Sequence, residues 1–272
     1  MYEHHMARSP QAPARTQPQL PRYPARKSAA GELLIWLLVR LAVGRMFVRV
    51  RLHVASSDPR TAAVPIIAVA NHPSWWDGYL ALLLSRHFGM RRYLMMDAAQ
   101  LRRYGFFAWA GCFGIERDDP RDVARSLAYA ARLLIQNRNS LVWMFPQASI
   151  VSADVRPVVV HRGVAHVIRR ATETIPEVSV MPVAWQLIYR GEQHPEVVIR
   201  TGEIMQLDRT TGRDVSAVTH KIQCRLTETM DALHYDLVHD DLRAYRVILR
   251  GQRGINDRFD RLLNRDRLVP DP

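Results

Sequence analysis

The chain has little cysteine, little lysine, a deficit of acids and no uninterrupted apolar helix near its start. Cys112 and Cys224 are the only cysteines among 272 residues, too few for a disulfide framework or a four-thiolate zinc site. A reducing compartment is therefore the default. The histidines show no paired metal-ligand spacing beyond His4-His5, and no metal is expected. No phosphate-binding glycine loop of the Walker or Rossmann type is present. Residues 1–28 hold Pro, Gln, Ala, Arg and Ser without an apolar stretch, so they read as a disordered basic tail and not as a cleavable leader. The next segment, residues 29–46, contains the continuous apolar run Leu33 to Val39, stopped by Arg40 and again by Arg45. That run is far short of the ~20 residues a spanning helix needs. An amphipathic helix lying in a membrane interface fits it, with the arginines at headgroup level and Trp36 at the boundary. The alternative is a helix that caps the protein's own core.

What is present in excess is arginine. Lys and Arg total 38 against 26 acids, a formal charge of +12. Such an excess favours an anionic partner: nucleic acid, an acidic membrane surface or a phosphorylated small molecule. The arginines are spread along the chain, and no RNA-reading signature or recognition helix accompanies them, so no nucleic-acid partner is expected. With 48% hydrophobic and 24% charged residues the composition is that of an ordinary folded chain, long enough for one large core.

Strand and helix patterns alternate along it. Residues 47–54 have period-two alternation and predict a half-exposed strand, and 65–70 a short buried one. Helices are predicted over 78–86 and 98–110, the second ending at Gly111, with a strand over 92–96 between them. Asp119-Pro120-Arg121-Asp122 opens a long helix to about Gln136, with an N-cap acid and proline at the first helical position. Residues 140–145 and 178–184 predict buried strands, 164–172 a helix, and 185–189 and 196–201 further strands. Val218, Ile222, Leu226, Met230 and Leu233 lie on one face of a helix over 215–233, and residues 242–268 have arginine-rich helical spacing. Together these predict a single α/β domain with a mixed, largely parallel sheet flanked by helices. The domain spans 47–235, preceded by the interfacial helix and followed by a basic helical extension over 236–272.

The residues with chemical potential fall at the ends of buried strands, where such sheets usually place their sites. Asn71-His72-Pro73-Ser74-Trp75-Trp76-Asp77 follows the strand over 65–70. His72 at the strand's end and Asp77 in the first turn of the next helix form a candidate base and its orienting acid, the carboxylate fixing the tautomer. Equally, Asp77 is an ordinary helix-start acid and His72 a turn residue. Of Trp75 and Trp76, one lines a channel or meets an interface and the other belongs to the core. Three further segments add to this. "GCFGIER" (111–117) puts Arg117 beyond a glycine-rich turn, "FPQAS" (145–149) follows a buried strand, and "VMPVA" (180–184) is a strand containing Pro182.

In order and spacing these four segments resemble the motifs of the glycerolipid acyltransferase superfamily, whose best-known members acylate lysophosphatidic acid. Asn71, His72 and Asp77 match its Asn-His-x4-Asp. Gly111, Gly114, Ile115 and Arg117 match the glycine-rich run ending in Ile-x-Arg. Val180, Met181 and Pro182 match the apolar strand with proline, and His161-Arg162-Gly163 resembles the basic-basic-Gly that commonly follows the third motif. The resemblance implies that His72 deprotonates an acceptor hydroxyl, which attacks an acyl thioester, and that Asp77 orients His72. It also implies that Arg117 binds phosphate or another polar group, with pairing to Glu116, Asp118 or Asp119 as the alternative. Asn71, Gly114, Arg117, Phe145, Pro146, Gln147, Ser149 and Pro182 are the implied substrate-binding positions, with Asn71 also suited to hold the turn through side-chain bonds to backbone. No cofactor is implied beyond acyl-CoA or acyl-ACP as co-substrate. The implied partners are that donor thioester, a lipid acceptor, acyl carrier protein and an anionic membrane surface, at the cytoplasmic face as a peripheral or monotopic protein.

The third motif departs from the family's Phe-Pro-Glu-Gly-Thr-Arg. Gln147, Ala148, Ser149 and Ile150 stand where Glu, Gly, Thr and Arg are usual. The implied acceptor is then not the usual lysophosphatidic acid but a lipid with a neutral or sugar-like hydroxyl near Gln147. The alternatives are a lysophosphatidic acid acyltransferase of phospholipid synthesis, with Arg156 or Arg162 supplying the missing charge, and a catalytically weak lipid-binding relative.

Overall fold

The computed structural model describes residues 20–55, 58–61 and 64–252. Its centre is one nine-stranded sheet in a single α/β unit. In chain order the strands are β1 (Arg49–His53), β2 (Ile66–Ala70), β3 (Arg91–Asp97), β4 (Cys112–Ile115), β5 (Ser140–Met144), β6 (Glu177–Ile188), β7 (Glu196–Thr201), β8 (Met205–Asp208) and β9 (Arg246–Arg250). The helices are α1 (Ala29–Met46), α2 (Asp77–His87), α3 (Ala98–Arg103), α4 (Pro120–Gln136), α5 (Gly163–Thr172) and α6 (Val215–Val238). The order across the sheet is β4-β3-β5-β2-β6-β7-β1-β9, with β8 paired to β6. From β4 to β6 all neighbours are parallel. β7 runs against β6, β1 runs with β7, and β9 runs against β1.

Both faces are covered, so the central strands are apolar at successive positions. Ile67 and Val69 of β2 face a core built with α4, α5 and α6, while Ile66, Ala68 and Ala70 face α1 and α2. β2 and β5 lie side by side, but the crossovers through α2 and α5 leave them in opposite directions, to β3 and to β6. A crevice therefore opens at their carboxyl ends, the usual position for a site in such a sheet.

Several expectations are corrected. The segments at 178–184 and 185–189 form one strand, β6, which continues through Pro182. That proline is tolerated for a topological reason. β8 pairs with β6 up to Val180 and β7 takes over from Val183, so the missing N–H falls in the gap between two partners. Residues 242–268 contain a strand, β9, on the open edge of β1, with arginine at each end. Residues 253–268 lie outside the described part, as do 1–19 of the basic tail. β1 is buried and not half-exposed: Arg49 and Arg51 both reach Glu196 of β7 at 2.9 Å. The helix expected over 98–110 breaks at Tyr104 into α3 and a 3-10 segment, Gly105–Ala110, and ends at Gly111 as expected, with φ +96°. β4 and β8 are too short, at four residues each, to have been recognised from alternation.

α1 caps the protein's own core with one face and leaves the other half exposed. Ile35, Val39 and Val43 are buried in the core that α1 shares with α2 and the 3-10 segment, while Leu33, Leu34, Leu37, Leu38 and Leu41 are each about half exposed. No helix among the described residues is long and apolar enough to cross a membrane.

Candidate active site

The loop after β2 is held from three sides before His72 is reached. Asn71 acts as a strand residue made from a side chain: its amide donates to the Trp185 carbonyl and accepts from the Trp185 N–H, both at 3.0 Å. The His72 N–H donates to Gln147 Oε1 at 2.8 Å, and the His72 carbonyl accepts from Val151 N–H at 2.9 Å. The backbone of His72 is thus clamped by the loop that follows β5. Its ring stacks on Phe145, with centroids 4.5 Å apart and planes at 17°.

Asp77 is fully buried, and each of its oxygens is used. Oδ2 lies 2.6 Å from His72 Nδ1 and accepts from Ser74 N–H at 2.9 Å, while Oδ1 accepts from Ser74 Oγ at 2.7 Å. Ser74 sits in the turn before α2, and its N–H and hydroxyl both donate to Asp77, which aims the carboxylate at the imidazole. With Asp77 ionised, Nδ1 carries the ring hydrogen and Nε2 keeps its lone pair. Ser74 was not singled out from the sequence, although its Ser-x-x-Asp spacing is the signal for this arrangement.

His72 opens into a cavity of about 740 Å³. One wall is aromatic, from Trp75, Tyr79, Tyr104 and Phe107. The interior is aliphatic, including Leu82, Leu94, Met96 and Leu127. Asp97, Gln100, Arg117, His161 and His166 supply polar groups. The two tryptophans divide: Trp75 is exposed at the cavity, and Trp76, partly buried, packs edge-on against Phe47 of the core.

Arg117 lines the cavity, yet it is already paired. It donates to Asp97 Oδ2 at 2.7 Å and to the Ala148 carbonyl, tying the ends of β3 and β4 to the loop after β5. Its partner is Asp97 and not the acids beside it in sequence. Burial pushes the Asp97 carboxyl up, but hydrogen bonds from Arg117 and the Ala99 N–H outweigh it and hold the group below its ordinary range. Arg156 pairs with Asp231 at 2.7 Å, and neither it nor Arg162 lines the cavity. Ile150 does line it, at the exposed mouth.

Of the ten candidate residues, the structure brings His72, Asp77, Arg117, Phe145 and Gln147 together. Gln147 is buried, and its oxygen serves the His72 backbone instead of facing a substrate. Asn71 is likewise committed to β6. Gly114 is a packing position on β4, where a Cβ would stand 3.0 Å from Tyr23 Cβ. Pro146 is buried and its carbonyl accepts from His161 N–H at 2.9 Å. Ser149 is exposed and Pro182 lies inside the sheet; neither is part of the cavity wall. Ala148 has φ +57°, so it keeps the left-handed conformation that glycine would adopt without strain. Cys112 borders the cavity from within the core, where burial pushes its thiol up to about 12. A nucleophilic role is foreign to such a thiol.

A family model described as Acyltransferase matches residues 51–186, half of the chain. The chain belongs to that acyltransferase family. The matched segment contains all four motifs and both partners of the His72–Asp77 contact. Among solved structures, the 1-acyl-sn-glycerophosphate (LPA) acyltransferase PlsC from Thermotoga maritima is similar at 16% identity, with a TM-score of 0.48, over 67% of this chain and 72% of that one. The pilus retraction motor PilT with bound ADP overlaps at 12% identity and a TM-score of 0.34, over 79% of this chain and 64% of that one. Neither overlap is close enough to bear on activity. No curated protein matches the chain.

Proposed function

We propose that this acyltransferase moves a fatty acyl group from acyl-CoA or acyl-ACP to a lipid hydroxyl, with His72 as general base and Asp77 as its orienting acid. The observation that carries the proposal is the 2.6 Å His72–Asp77 contact at the carboxyl end of β2, with the ring opening into a large, mostly apolar cavity. The acceptor hydroxyl gives its proton to His72 Nε2 as its oxygen attacks the thioester carbonyl. When the C–S bond breaks, the leaving thiolate takes that proton back, and no acyl-enzyme forms. As imidazolium develops, the fixed negative charge of Asp77 stabilises it.

The acceptor in this proposal is a lipid with a neutral or sugar-like hydroxyl, not lysophosphatidic acid. Ile150 offers no charge where the family usually has arginine, and Arg117 is engaged by Asp97 and Ala148. A phosphate there would have to displace an existing ion pair. The exposed leucines of α1 support a monotopic association with the cytoplasmic face of an anionic membrane, from which acceptor and acyl chain would enter past Trp75.

The test follows label from an acyl thioester into total lipid of the host, with wild type and His72→Ala compared. One labelled lipid that vanishes in the variant identifies the acceptor. Identical patterns would instead favour a lipid-binding protein without activity. Robust wild-type transfer to lysophosphatidic acid would overturn the acceptor assignment, as would no gain on that acceptor from combined Ile150→Arg, Gln147→Glu and Ala148→Gly.

A further inference from the structure

A second concavity, of about 580 Å³, lies at the end of α1 away from the His72 cavity and shares no lining residue with it. Its walls are Leu37, Arg40, Leu41 and Arg45 of α1, together with Arg250, Gly251 and Gln252 that follow from β9. The chain is brought here by close backbone packing. Gly251 N–H donates to the Val48 carbonyl at 2.8 Å and Gln252 N–H to the Gly44 carbonyl at 2.6 Å. A Cβ on residue 251 would stand 2.0 Å from the Phe47 carbonyl oxygen, so only glycine permits the approach. The Gly44 carbonyl, and that of Val43 bonded by Phe47 N–H, are occupied, which removes two acceptors that would repel an anion.

The result is amphiphilic in a particular sense. Three guanidiniums from two separate elements border one groove, and half-exposed leucines border the same groove. Those leucines continue the apolar face of α1 through Leu33, Leu34 and Leu38. Among the described residues neither Arg40 nor Arg45 has an ion-pair partner. Guanidinium forks suit phosphate oxygens, and leucines beside them suit the first carbons of an acyl chain. We infer that this groove binds the headgroup phosphate of an anionic phospholipid while α1 lies in the membrane, fixing the depth and rotation of the protein at the bilayer. This rests on the membrane association proposed above, and adds to it a defined headgroup site separate from the acyl-transfer cavity.

The experiment is flotation of the full chain with vesicles of phosphatidylcholine, with and without phosphatidylglycerol. Four proteins are compared: wild type, Arg40→Gln/Arg45→Gln/Arg250→Gln, a charge-matched control Arg209→Gln/Arg213→Gln/Lys221→Gln on the α6 side, and His72→Ala. Each arginine near an anionic surface contributes about fivefold, so the groove variant should bind phosphatidylglycerol vesicles about a hundredfold more weakly. The control should stay within a fewfold of wild type, and added salt should shrink the difference. His72→Ala should bind as wild type does, which separates this site from any failure of the acyl-transfer proposal. Equal losses in both triple variants would reduce the effect to net charge and overturn the inference. So would a wild type indifferent to phosphatidylglycerol, or a groove variant whose only defect is a raised KM for a soluble acyl donor. Should the triple variant fail to fold, the exposed single variant Arg45→Gln decides, with a fivefold loss expected and none refuting.

Discussion

Replacing Asp77 by Asn isolates the charge of the proposed dyad from its geometry. The amide can present its oxygen where Oδ2 now stands, still accepting from His72 Nδ1 and Ser74 N–H, and its NH2 can donate to Ser74 Oγ where Oδ1 now accepts. What disappears is the negative charge opposite the imidazolium that forms during proton transfer. The Nδ1–Oδ2 distance is 2.6 Å, and the imidazolium charge is spread over the ring, so the effective separation is about 4 Å. At an effective permittivity of about 20 this interaction is about 4 kcal/mol, equivalent to about a thousandfold in rate. That lies within the ~10²–10⁴ that general acid–base catalysis supplies. The expected outcome is a kcat lowered about a hundredfold to ten-thousandfold, read as label transferred from acyl thioester to lipid, with KM for the donor little changed. The melting temperature should hold within a few degrees, because the hydrogen bonds survive. The double variant with His72→Ala should be no slower than His72→Ala alone, since Asp77 acts only through the imidazole. A kcat within threefold of wild type, in a protein shown to be folded, would refute the role assigned to Asp77.

Other outcomes follow from neighbouring features. Gln147→Ala leaves the His72 N–H without its acceptor and should cost about 1–3 kcal/mol, lowering Tm by several degrees, whereas Gln147→Glu keeps an acceptor there and should retain most of the stability. Ala148→Gly relieves a left-handed backbone at φ +57° at the expense of unfolded-state entropy, so thermal melting should show a change between zero and a gain of about 1 kcal/mol, and no loss. Gly251→Ala should lower Tm sharply, because the added carbon collides with the Phe47 backbone and not with a movable side chain. In the native protein a thiol reagent should modify the exposed Cys224 and spare Cys112 until unfolding, as mass spectrometry of the labelled chain would show. The Cys112 thiol is raised by burial from 9.0 to about 12, so the unfolded chain ionises first. Its contribution to stability is intact below pH 9 and declines as pH rises from about 9 toward 12, which chemical denaturation across that range measures.

The parallel core was legible because buried strands and amphipathic helices carry their own periods, and because Asp119-Pro120 marks the start of α4. The arginine-rich end was not. Arg246-Val247-Ile248-Leu249-Arg250 suits an edge strand, but only the vacant side of β1 makes it one. Arg49 and Arg51 look solvent-facing until Glu196, 145 residues beyond Arg51, is brought between them. The site divides in the same way. His72 and Asp77 were visible because their contact is local, within one loop. The partner of Arg117 was not, because Asp97 meets it only through the pairing of β3 with β4, where Asp97 lies opposite Ile115. Gln147 and Pro182 were sought as contacts to substrate, and Asn71 as that or as a holder of backbone, since a motif gives residue identity without direction. In the fold they hold backbone: Asn71 on Trp185, Gln147 on His72, and Pro182 across the change of strand partners.

The pairing of Asn71 with Trp185 also gives the proposed base a remote reporter. The Trp185 amide hydrogen is bonded to a side chain and not to another strand, so its exchange with solvent deuterium requires the Asn71 side chain to let go. A single N–H toward the carboxyl end of β6 therefore clocks how often the ground beneath His72 gives way, from a residue outside the cavity wall.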